Sequence, residues 1–171
     1  MLLFAHLGLT LAAARNLRRF YDLNLFFVIV GSILPDIIDK PLGWAVYGTP
    51  AMGRIYAHTL LFLLILSAIS IVLRSGRMGS LSCGVLSHLI LDSMWASPVT
   101  LLWPLLGQFP LEVDLGPMGY LDKLMMSVLN PVMMVPELLG FAYILYYAYA
   151  MKDTIRAFKR SSISTMMTIL Y

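Results

Sequence analysis

Charge is what this chain has least of: 12 % of its 171 residues are Asp, Glu, Lys or Arg, against 60 % hydrophobic. Soluble domains carry roughly twice that share of charge, so a surface this poor in it faces lipid rather than water. Cysteine is almost missing too. The single Cys83 excludes an intramolecular disulfide and every thiolate-rich metal site, leaving imidazole and carboxylate as the only ligands for a cation. No basic stripe interleaved with exposed aromatics is present, which argues against a nucleic-acid partner despite the net charge of +3. Internal repeats and low-complexity tracts are absent as well. The opening apolar segment ends in Ala12-Ala13-Ala14 but has no basic residues before it, so it reads as a retained helix rather than a cleaved signal.

What remains is a set of apolar stretches. About five are expected to insert in a membrane, since ~20 apolar residues cross the ~30 Å hydrocarbon layer. They run from about Leu2 to Arg15, Leu23 to Leu34 (ended by Pro35), Arg54 to Leu73, Ser80 to Trp95 and Leu124 to Met151. Pro98, Pro104, Pro110 and Pro117 mark a proline-rich loop after the fourth. The expected fold is therefore all-α, a polytopic transmembrane helical bundle. It forms one domain over residues 1–151, followed by a basic interfacial tail over 152–171. The methionines and the tyrosines of 143–149 read as lipid-facing packing and an interfacial belt.

With five crossings, one membrane face holds Arg15, Arg18, Arg19, Arg74, Arg77, Lys152, Arg156, Lys159 and Arg160, and the other only Lys40, Arg54 and Lys123. The positive-inside rule makes the first face cytoplasmic, with the N-terminus outside and the C-terminus inside. All three histidines then fall near the opposite, non-cytoplasmic face: His6, His58 and His88, together with Asp36, Asp39 and Asp92. His88 and Asp92 stand at i and i+4 of one helix face, and Asp36 and Asp39 three apart. An N/O donor set of this kind suits a hard or borderline divalent cation, and ionisable groups within a bilayer are costly to keep. The same residues also suit plain hydrogen bonding between helices, and Asp36 and Asp39 suit a turn with Pro35 and Lys40. Glu137, inside the fifth stretch, fits a ligand, a proton carrier or a partner for Arg54. Glu112, Asp114 and Asp122 read as solvated loop charges.

The ordered set His6-x-Gly8, Gly31-Ser-Ile-Leu-Pro-Asp-Ile-Ile-Asp-Lys-Pro-Leu-Gly43, Gly53-Arg-Ile-Tyr-Ala-His-Thr-Leu-Leu-Phe62, Leu86-Ser-His-Leu-Ile-Leu-Asp92, Ser97-Pro and Leu101-Leu-Trp-Pro104 resembles the YdjM-like family of membrane-bound metal-dependent hydrolases. The resemblance extends to about residue 107. It implies an integral membrane protein with a divalent metal and a hydrolytic activity. Family members often read Pro-Asp-x-Asp-His-Pro where this chain has Pro35-Asp-Ile-Ile-Asp-Lys-Pro41, so it leaves the role of Asp39 open.

The resulting expectation is a hydrolase of a lipid-linked phosphoester at the non-cytoplasmic leaflet of the cell membrane. His6, Asp36, His58, His88 and Asp92 are the candidate metal ligands, with zinc the first choice and manganese or magnesium as alternatives. Arg54, four residues before His58, is a candidate phosphate clamp, and Asp39 or Glu137 a candidate general base. The competing readings are a small proton or cation transporter using the same cluster, and a non-catalytic structural or regulatory membrane protein.

Overall fold

A computed structural model describes residues 3–49, 51–111 and 116–170. Side chains are described as far as Lys152, apart from those of Pro117, Tyr120, Lys123, Leu124 and Val128. Glu112 and Asp114 lie outside the described residues, as do the side chains of Arg156, Lys159 and Arg160. Every regular element among the described residues is helical. The order is α1 (Leu3–Leu17), α2 (Leu25–Tyr47), a 3-10 turn (Tyr56–His58), α3 (Leu60–Val72), α4 (Gly76–Leu91), a second 3-10 turn (Met94–Ala96), α5 (Pro98–Leu101), α6 (Gly116–Leu129) and α7 (Pro131–Leu170).

Local chemistry sets most of these boundaries. The Asn24 side chain accepts from the amides of Phe26 and Phe27 to start α2, Thr59 accepts from Phe62 to start α3, and Ser75 from Met78 to start α4. The expected third stretch is therefore shorter than its apolar run: Thr59 caps a helix that begins after His58, so Arg54 and His58 do not share a helix face. The expected fifth stretch divides at Asn130, whose side chain accepts from Val132 at 3.0 Å while Pro131 opens α7.

The second stretch differs most. Helix α2 does not stop at Pro35 but continues through Pro35 and Pro41 to Tyr47. Proline withholds its donor from the carbonyl four residues back, that of Gly31 for Pro35, and membrane helices tolerate such a break. In the same turn the Ser32 carbonyl accepts from Nδ1 of His88 at 2.7 Å, which ties this part of α2 to α4. Gly48, at φ 72°, then closes the helix in the left-handed conformation, its amide donating to the Trp44 carbonyl.

Two glycine-lined crossings set the packing. At α2 and α4, a Cβ on Gly31 would lie 2.2 Å from the Leu81 carbonyl oxygen, and one on Gly84 2.2 Å from that of Val28. At α1 and α7, a Cβ on Gly8 would lie 2.0 Å from the Gly140 carbonyl oxygen. Small residues permit this approach, and backbone packing replaces the hydrophobic drive that lipid does not supply. Both pairs run parallel. Asn24 donates to Ser80 and Ser32 accepts from His88 along α2 and α4; Phe4 and Ala5 meet Glu137, and Arg15 lies over Tyr147, along α1 and α7.

The interior is small. Leu66, Val85, Leu89 and Met94 form one apolar cluster, and Met52, Ile55 and Phe109 another, with Trp103 packed against the second. Polarity is inverted relative to a soluble protein. His6, Ser32, Asp39, His58, Ser80, His88 and Asp92 are buried, while Leu64, Ile71 and Val72 of α3 and Val132, Val135, Leu138 and Leu145 of α7 are exposed. Among the described residues, Pro131–Lys152 is long and apolar enough to cross a membrane, and Leu60–Val72 is a shorter apolar helix.

Candidate metal centre

Four segments bring their polar residues to one end of the bundle: the first turns of α1 (His6), the C-terminal half of α2 (Asp36, Asp39), the 3-10 turn before α3 (His58), and the end of α4 (His88, Asp92). Asp92 is the C-cap of α4, its amide donating to the His88 carbonyl, so these two residues keep the one-turn relation their spacing predicts. Two overlapping groups have ligand atoms mutually within 4.8 Å: His6, His88 and Asp92, and Asp36, His58 and His88.

The imidazoles are oriented from behind. Asp39 Oδ2 lies 2.7 Å from Nδ1 of His58, and because a carboxylate only accepts, that nitrogen carries the hydrogen. The Ser32 carbonyl does the same for Nδ1 of His88 at 2.7 Å. Both rings in their neutral form therefore turn an Nε2 lone pair inward, and these two nitrogens are 3.1 Å apart. Two acceptors at that distance repel unless a cation or a proton lies between them. Around them, Asp36 Oδ1 lies 3.7 Å and Asp92 Oδ2 3.9 Å from Nε2 of His58. His6 Nε2 is 3.3 Å from Asp92 Oδ1.

This donor set fits a divalent ion. With metal–nitrogen bonds of about 2.0–2.1 Å, two ligands on a tetrahedron stand roughly 3.3 Å apart, close to the observed nitrogen separation. Carboxylate–imidazole pairs such as Asp39–His58 are the usual outer support of a metal-bound histidine.

The remaining candidates take up distinct places. Asp39 is wholly buried and accepts from the amides of Ile55, Ala57 and His58 as well as from the His58 ring. Arg54 joins the cluster from the irregular segment before the 3-10 turn, its Nη2 2.8 Å from Asp92 Oδ2. Glu137 belongs to neither group: its carboxylate accepts from the amides of Phe4 and Ala5, at 2.9 and 2.8 Å, and so caps the start of α1 from α7. Its partner is a helix terminus, not Arg54. The part played by Ser32 had no signal in the sequence, because it acts through a main-chain carbonyl that any residue possesses.

An apolar exterior, an interior rich in polar side chains and a buried His/Asp cluster define an all-helical membrane protein with a possible metal-binding site. Residues 1–158 match the family of the YdjM inner membrane protein, and the chain belongs to that family. Neither a curated protein nor a solved structure matches it.

Proposed function

We propose that this protein is a membrane-embedded metal-dependent hydrolase acting on a phosphoester of a lipid-linked substrate at the non-cytoplasmic leaflet. The observation that carries the reading is the inward-facing pair of Nε2 lone pairs on His58 and His88, each fixed by an acceptor behind its ring. His58, His88 and Asp36 would hold an ion, with His6 and Asp92 as further ligands. Zinc suits this mixture of nitrogen and oxygen donors best, and manganese or magnesium fit less well. Such an ion supplies an activated water and polarisation of the substrate oxygen.

The chain's own residues do the rest. Asp39, with its lone pairs engaged by three amides and one imidazole, positions His58 and does not act as the base. Arg54 neutralises Asp92 and stands at the edge of the cluster, where its guanidinium can turn to a phosphate. Glu137 fixes the start of α1 and thereby His6. About five membrane segments, N-terminus outside and C-terminus inside, agree with the charge bias and with the parallel pairing of α1 with α7 and of α2 with α4.

Elemental analysis of the purified protein tests this directly, paired with release of phosphate or headgroup from a panel of phospholipids. Bound zinc in the wild type, its loss in His88→Ala and the parallel loss of turnover are expected. A metal-free wild type, or turnover unchanged by His88→Ala, would overturn the reading. Bound metal without turnover on any lipid would favour a structural role.

A further inference from the structure

The cluster is open on one side. Between α1 and α2 lies a groove of about 440 Å³, within the usual range for ligand sites, walled by Leu3, Ile33, Ile37 and Pro41. Its inner end reaches His6 and Asp36, one from each of the two ligand groups. Its outer wall is apolar and open, with Leu3 55 % and Ile37 57 % exposed. The groove also carries Lys40, one turn beyond Asp36, whose ammonium lies 2.9 Å from Asp36 Oδ2 and is about half exposed.

We infer that this groove is a lateral binding site for one alkyl chain of an anionic membrane phospholipid, with Lys40 receiving the headgroup phosphate. The inference rests on the hydrolase reading and names the substrate class of the same site. The apolar walls take the chain, and the charge complementarity lies in Lys40. An arriving phosphate competes with Asp36 for the ammonium, freeing Asp36 Oδ2 at the moment the substrate reaches the cluster. The groove thus selects for an apolar tail and an anionic head together.

Native mass spectrometry of the full-length protein, released from detergent after equilibration with defined lipids, tests this without relying on turnover. The probes are dioleoyl phosphatidic acid, dioleoyl phosphatidylcholine and the short-chain dihexanoyl phosphatidic acid. The wild type should retain dioleoyl phosphatidic acid about fivefold better than the choline lipid, the preference a single lysine at the membrane surface supplies. Ile33→Trp, which fills the groove, should weaken retention of dioleoyl phosphatidic acid about tenfold, which is 1.4 kcal/mol, and that of the short-chain lipid less. Lys40→Ala should bring the two dioleoyl lipids to equal retention. Helical circular dichroism and the thermal unfolding midpoint in detergent should match the wild type in each variant, which reports that the bundle is intact. Should Ile33→Trp fail to fold, Leu3→Trp fills the same groove from its opposite wall. Unchanged retention in the folded tryptophan variant, or no preference for the anionic lipid in the wild type, overturns the inference. The expected retention pattern with no turnover removes the hydrolase reading and leaves the groove in place.

Discussion

The two halves of the molecule use glycine in the same way and polarity in opposite ways. Helices α2 and α4 cross at Gly31 and Gly84, and beyond that crossing they deliver Ser32, Asp36, Asp39, His88 and Asp92 to a common interior. Helices α1 and α7 cross as closely at Gly8 and Gly140, yet the outward face of α7 carries Val132, Val135, Leu138 and Leu145 and meets no partner among the described residues. Close backbone approach is thus a means of assembly in both halves, while most of the His/Asp cluster belongs to one and only His6 comes from the other. The crossing in the half with the buried carboxylates sets the spacing of Asp36, Asp39, His88 and Asp92. The other crossing sets α1, and with it His6.

Side chains added at the crossings should separate these roles most sharply. Gly84→Val places its Cβ within 2.2 Å of the Val28 carbonyl, a backbone atom that cannot swing aside. A loss of about 3 kcal/mol is expected, at the upper end for overpacking, together with loss of bound metal. Gly140→Val meets the Phe4 carbonyl at the same 2.2 Å and should cost a similar amount. Its effect on metal should be smaller, because only His6 rides on α1. Thermal unfolding in detergent alongside metal content reads both, and equal metal loss in the two variants would erase the distinction.

A smaller effect is expected from Asp39→Asn. The amide keeps the volume but no longer fixes the His58 tautomer with a charge, and metal affinity should fall about 10–100-fold with the fold retained. Competition with a chelator of known affinity measures it; an unchanged affinity would remove Asp39 from the support of the centre.

The smallest change belongs to the other half. Glu137→Gln leaves one acceptor for the two amides at the start of α1 and removes the negative charge facing that terminus. A loss of roughly 1 kcal/mol in stability is expected, with turnover nearly unchanged. A collapse of turnover instead would make Glu137 a participant in the chemistry.

The sequence made the helical class and the His/Asp set legible because both are local or compositional. His88 and Asp92 are one helical turn apart wherever that helix lies, and scarcity of charge identifies a lipid-facing surface in any arrangement. Pro35 misled because its effect on a helix depends on the packing around it, and the partner of that turn, His88 on the Ser32 carbonyl, lies 56 residues away in the chain. The helix starts at Thr59 and Asn130 were present in the sequence as capping residues, but the apolar runs around them are continuous, and hydropathy alone passes over them. Asp39 was the least readable. Its place is set by the amides of Ile55, Ala57 and His58, which converge only once the segment before α3 has folded back onto α2.

The tie between Glu137 and the first turn of α1 bears on the order in which the protein is made. Asp36, His58, His88 and Asp92 are carried by α2, the turn before α3, and α4, all of which leave the ribosome before α7 exists. His6 is synthesised before the other four, but Glu137 and Gly140, which bond to and pack against the start of its helix, are synthesised after all of them. During biogenesis the earliest histidine of the cluster therefore gains the last contacts of its helix only after all the other cluster residues have been made.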